Sequence, residues 1–139
     1  MRLHPLWAGL AVGAGGLVGT ALRYLLGVGS PTAAGAWPAV TLGINLVGAF
    51  ALGLLLEALT RVGPDVGARR IVRLGVGTGL LGSFTTYSTL ALDVVHQIEA
   101  GHVGAAAAYA AVSLLGGLVA AGAGVALGAR AERWRAASR

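Results

Sequence analysis

The chain contains no cysteine and no lysine, and it is short of charge altogether: ten arginines and five acidic residues make up 11% of 139 positions. Without cysteine there can be no disulfide and no thiolate metal site. A soluble domain carries about a quarter charged residues, so this shortage, with 56% hydrophobic residues and a mean hydropathy of +0.79, points to lipid. Deep acids and bases are missing too. Glu57 and Asp93 fall towards the ends of apolar segments, so the intramembrane carboxylate expected of a proton-coupled exporter is absent. No His, Asp or Glu is placed mid-membrane to activate a hydroxyl, which argues against a hydrolase and against an enzyme generally. His4, His96 and His102 stand at expected membrane edges without metal-ligand spacing.

What is present is four charge-free stretches: Pro5 to Leu22, Tyr24 to Leu56, Leu74 to Leu92 and Val103 to Ala129. Crossing the hydrocarbon core takes about 20 apolar residues. The second stretch carries Gly27-Val28-Gly29-Ser30-Pro31 and then Trp37-Pro38, which are breaker and interface signals. The expectation is an all-α integral membrane protein forming one four-helix domain over 1–139, with helices at about 5–26, 38–58, 71–97 and 103–129. The first segment is too long for a typical signal core and runs into Arg23-Tyr24, so it is expected to be retained. Its Gly15, Gly16 and Gly19 give a small-residue face for close helix packing.

The arginines are unevenly shared. Nine lie before the first helix, between the second and third, or after the fourth, and only Arg23 belongs to the other side. The positive-inside rule then puts both termini in the cytoplasm of a multi-pass cell-membrane protein. The basic balance reads as topology and contact with the lipid bilayer, not as nucleic-acid binding.

The third apolar stretch is the least regular. Gly79 to Leu90 carries hydroxyls at Ser83, Thr85, Thr86, Tyr87, Ser88 and Thr89, with Gly79 and Gly82 ahead of them. Such residues compete with helical hydrogen bonds or stiffen the chain. A helix broken at mid-membrane suits them, because freed backbone groups survive there when buried in protein or lining a cavity. Arg23, near a helix end, either snorkels to the headgroups or is held by buried partners. Asn45, inside an apolar helix, either ties helices together or donates to an anion. Tyr109 and Ser113, four apart, share one face of the fourth helix; on spacing alone, an interfacial tyrosine and a serine bonded to its own helix are the simpler account of them. Together these groups make a donor-lined path suited to a small anion, while carbonyls freed at a helix break suit a cation such as sodium.

In order along the chain, Gly15-Gly16-Leu-Val-Gly19-Thr-Ala-Leu-Arg23-Tyr24, Thr41-Leu-Gly43-Ile-Asn45-Leu-Val-Gly48-Ala-Phe50, Gly79-Leu-Leu-Gly82-Ser-Phe-Thr85-Thr86-Tyr87-Ser88-Thr89 and the Tyr109/Ser113 pair resemble the Fluc/CrcB fluoride channels over almost the whole chain. The resemblance implies passive, selective fluoride export that lowers cytoplasmic fluoride, by an antiparallel dimer of four-helix subunits with two pores. It also implies a structural sodium ion, not transported, on the backbone carbonyls of Gly82 and Thr85 at the break in helix three. The family's pore residues fall on Asn45, Tyr87, Ser88, Thr89, Leu90, Tyr109 and Ser113, and its arginine after the glycine motif on Arg23, which would then be held by the protein.

Two departures follow from the same resemblance. The family's Phe-Ser-Thr-Phe is here Tyr87-Ser88-Thr89-Leu90, and Leu90 offers no electropositive ring edge. Nine arginines against one also ill suit a homodimer whose subunits insert in opposite senses, so a homologous partner of opposite orientation is expected. The rivals are a non-conducting accessory subunit and a small multidrug exporter. The exporter would need a carboxylate in the first helix, which has none.

Overall fold

The computed structural model describes residues 5–29 and 36–137. Among them every regular element is a helix: α1 (Pro5–Gly29), α2 (Ala39–Val62), α3 (Ala68–Val72), a π-helical segment (Arg73–Leu81), α4 (Gly82–Phe84), α5 (Tyr87–Glu99) and α6 (Val103–Ala137). Three stretches are long and apolar enough to cross a bilayer, namely Pro5–Gly29, Ala39–Arg61 and Val103–Arg130.

The region expected as helix three, over 71–97 with a break in it, is divided among α3, the π-helical segment, α4 and α5. Chain continuity is kept from Ala68 to Phe84, but Thr85 (ψ 156°) and Thr86 (φ −147°, ψ 122°) are extended before α5 begins. Thr85 closes the preceding turn, its N–H and its hydroxyl both donating to the Leu81 carbonyl at 3.1 and 3.0 Å. The other helices outrun the lengths inferred from hydropathy, α6 by the most, continuing from 129 to Ala137. Charge ends an apolar run, but it does not end a helix whose alanines and arginines favour helical backbone.

Glycine determines which helices touch. A Cβ on Gly15 would strike the Gly75 carbonyl, and one on Gly19 the Leu80 carbonyl, so α1 lies backbone to backbone on the π-helical segment. On that segment, a Cβ on Gly79 would come within 2.5 Å of the Val12 carbonyl. The wide π turn belongs to this glycine run: the Gly82 N–H reaches back five residues to the Gly77 carbonyl. A second glycine seam joins α2 to α6, with Gly53 on Ala121, Gly124 on Phe50, and Gly128 on the Glu57 side chain. This is the close approach through small residues by which helices associate in lipid.

Both seams are parallel. Contacts advance from Ala11–Gly75 to Gly19–Phe84 in the first, and from Leu46–Gly116 to Glu57–Gly128 in the second. Parallel neighbours oblige the intervening chain to return to its starting side. The end of α2, the start of α3 and the end of α6 therefore meet at one end of the bundle, and the end of α1 and the starts of α2 and α6 at the other. Little of the chain is buried by itself, and large apolar side chains such as Leu17, 77% exposed, face outward. An apolar surface that continuous calls for lipid or a partner.

Candidate functional site

The break between α4 and α5 anchors the site. Thr86 caps α5: its hydroxyl oxygen accepts from the Thr89 N–H at 3.1 Å and donates to Thr89 Oγ1 at 2.9 Å. Ser88 Oγ is 3.2 Å from Thr86 Oγ1, a contact in which either hydroxyl can be the donor. The extended Thr86 peptide is held from α2. Asn45 Nδ2 donates to the Thr86 carbonyl at 2.9 Å and the Thr86 N–H donates to Asn45 Oδ1 at 2.8 Å, so one amide side chain pairs with Thr86 as a neighbouring β-strand would. Gly48, one turn on from Asn45, leaves room for the Thr85 methyl group.

These bonds divert two donors. In an unbroken helix the Gly82 carbonyl would accept from the Thr86 N–H, and the Thr85 carbonyl from the Thr89 N–H. The first N–H goes to Asn45 and the second to the Thr86 hydroxyl. The Gly82 and Thr85 carbonyls are thereby left without these helical donors. Among the described residues no cluster of three or more His, Cys, Asp or Glu could hold a metal.

A cleft of about 420 Å³ descends from the last turn of α1, at Gly27 and Val28, to Thr86. Its polar walls are Thr20, Arg23, Thr41, Thr86, Thr89 and Asp93. Arg23 is half-buried, and its Nε–H has no hydrogen-bond partner. Asp93 is the one carboxylate on the wall, and its Oδ2 accepts from the Tyr109 hydroxyl at 3.2 Å. Tyr109 is completely buried and meets the Trp37 ring edge-on, with centroids 5.6 Å apart. Ser113, a turn further along α6, is buried with its hydroxyl unpartnered.

The residues expected to form the pore divide into two groups. Thr89 lines the cleft, and Asn45 and Tyr109 reach its wall through Thr86 and Asp93. Tyr87 is 77% exposed, Ser88 is exposed and Leu90 half-buried; of the two residues expected at the sodium site, Gly82 is exposed and Thr85 half-buried. Thr86 belongs to the hydroxyl run read from the sequence, but Asp93 does not stand out there, falling at a segment end; the structure sets both on the cleft wall. Their spacing is the signal that could have found them, since 86, 89 and 93 lie on one helical face at intervals of three and four.

The family model described as CrcB-like protein, Camphor Resistance (CrcB), matches residues 10–125. The chain belongs to the CrcB family. Among CrcB relatives, one from Leifsonia xyli subsp. xyli, named Fluoride-specific ion channel FluC 2, is 51% identical over 120 residues, 86% of this chain and 82% of its own length. One from Cutibacterium acnes, Fluoride-specific ion channel FluC 1, is 49% identical over 98 residues, covering 70% and 68%. A third, from Agrobacterium fabrum, Fluoride-specific ion channel FluC, is 43% identical over 118 residues, covering 84% and 92%. The match to the family model contains all of α2, the break and the cleft, together with Tyr109 and Ser113 of α6.

Proposed function

We propose that the chain is a subunit of a fluoride-selective channel that carries fluoride passively across the cell membrane and lowers its cytoplasmic level; it is not an enzyme. The observation that carries this reading is the cleft. A cation, Arg23, and the hydroxyls of Thr20, Thr41, Thr86 and Thr89 lead from one end of the bundle to the break, offering donors in place of the water a small anion sheds. The relatives' names supply the anion. Fluoride efflux from liposomes containing the purified chain is expected to be rapid, with chloride retained, as read by ion-selective electrodes. Vesicles tight to fluoride, both for the chain alone and for the chain with a co-expressed homologous partner, would leave it a non-conducting accessory subunit.

Four membrane crossings fit the two parallel seams. Ala68–Phe84 and Tyr87–Glu99 then form a single crossing, third in order, broken at mid-membrane by Thr85 and Thr86. The Gly82 and Thr85 carbonyls would hold a structural sodium ion that is not itself transported. Two carbonyls from one chain are few for a bound cation, which supports completion of the site by a second, antiparallel subunit.

The nine-to-one share of arginines along the sequence favours cytoplasmic termini and one direction of insertion. The partner is then a homologous subunit of opposite orientation. A cysteine-accessibility map of the chain expressed alone should find Gly67→Cys labelled from the cytoplasm only, and comparable labelling from both sides would return the assembly to a dual-topology homodimer.

A further inference from the structure

At the arginine-bearing end of the bundle, the acids and bases do not cancel. Glu57 is occupied by Arg61, four residues along α2. Asp65 is occupied by Arg73, whose Nε and Nη2 approach the same carboxylate oxygen at 3.0 and 2.8 Å. That bond, with the field of Arg70 adding to it, holds the Asp65 carboxyl below its ordinary pKa. Arg69, Arg70 and Arg130 have no carboxylate partner among the described residues. Arg69 lies over the loop, its Nη1 meeting Gly63 and making a long 3.4 Å bond to the Pro64 carbonyl. The Arg70 Nε–H is buried and donates to nothing.

The chain has already used both nearby carboxylates on Arg61 and Arg73, which leaves the guanidinium groups of Arg69 and Arg70 without a counter-charge among the described residues. The acceptor best matched to the planar guanidinium fork is a phosphate, which takes two N–H bonds at once. Flanking the two arginines in the sequence are exposed aliphatic side chains, Val66, Ile71 and Val72, each at least 40% accessible. Free phosphate has no use for them, whereas acyl chains do.

We propose that Arg69 and Arg70 form a binding site for the phosphodiester headgroup of an anionic phospholipid, whose acyl chains lie on Val66, Ile71 and Val72. The site goes beyond ion conduction and needs only that this end of the bundle stands at a bilayer surface. Arg130 and the remainder of α6 favour that placement. At about 1.5 Å per residue the 35 residues of α6 exceed a hydrocarbon core of about 30 Å, so its last turns extend past the bilayer at the same end as the loop.

The test is native mass spectrometry of the intact chain in detergent with phosphatidylglycerol, phosphatidylcholine or sodium phosphate at matched concentration. Phosphatidylglycerol is expected to stay bound where phosphatidylcholine does not, and sodium phosphate should fail to displace it. Arg69→Gln with Arg70→Gln should weaken its retention roughly 25-fold, about fivefold per arginine. Equal retention of the two lipids overturns the proposal without reference to any variant. Displacement by sodium phosphate overturns the lipid assignment, and a folded double variant that binds as the wild type does overturns the role of the arginines. None of these readouts involves fluoride, so they stand or fall separately from the channel reading.

Discussion

Asn45→Asp is expected to cut fluoride efflux on the order of a hundredfold and to lower thermal stability, because it reverses one of two hydrogen bonds at the helix break. The amide donates to the Thr86 carbonyl and accepts from the Thr86 N–H. An ionised carboxylate keeps the second bond but sets a charged oxygen against the carbonyl, and it adds a negative charge beside an anion path. Losing the donor strands a part-buried carbonyl at a cost of about 1–3 kcal/mol, and 3 kcal/mol is already more than a hundredfold in an equilibrium. Asn45→Ala removes both bonds without adding charge and should be the milder change for stability. Efflux and melting of detergent-solubilised protein should fall together in both variants. An Asn45→Ala protein with unchanged melting and unchanged flux would show that the break is held without this amide. A loss of flux with melting intact would instead assign Asn45 to the ion.

Gly15→Ala and Gly19→Ala, singly or together, should prevent the folded chain from accumulating. In each case the new methyl group meets a carbonyl of the π-helical segment, and backbone cannot rotate aside as a side chain can. Overpacking a well-fitted interface costs about 1–3 kcal/mol, more when the obstruction is main chain. Gly9 and Gly13 lie on the same helix with open space where a methyl group would go, and Gly9→Ala and Gly13→Ala should be silent or slightly stabilising. The α2–α6 seam repeats the contrast, with Gly124→Ala damaging and Gly122→Ala tolerated. Size-exclusion profiles of the matched pairs decide the matter. Equal behaviour of Gly13→Ala and Gly19→Ala would mean that α1 does not pack on the π-helical segment as described.

Apolar length and the spacing of charge were enough to place three helices long enough to span a bilayer and to set most arginines at one end, because transfer of charge into hydrocarbon is costly wherever it occurs in a fold. The irregular chemistry of 79–90 was also legible, since glycine, threonine and serine disfavour helix locally, without need of a neighbour. Composition could not say which glycine meets which carbonyl. Gly13 and Gly15 look alike in sequence, and only the crossing with the π-helical segment makes one dispensable and the other not. Nor could it choose between two uses of Asn45, because an amide in an apolar helix has to find partners but does not name them. The structure shows the amide bonded to Thr86, 41 residues away. Asp93 likewise read as an acid near a segment end until α6 brought the Tyr109 hydroxyl to it. Free energies of transfer are properties of residues and can be read along a chain, whereas hydrogen bonds and close contacts belong to pairs, and it is the packing of α1, α2 and α6 around the broken helix that decides the pairs.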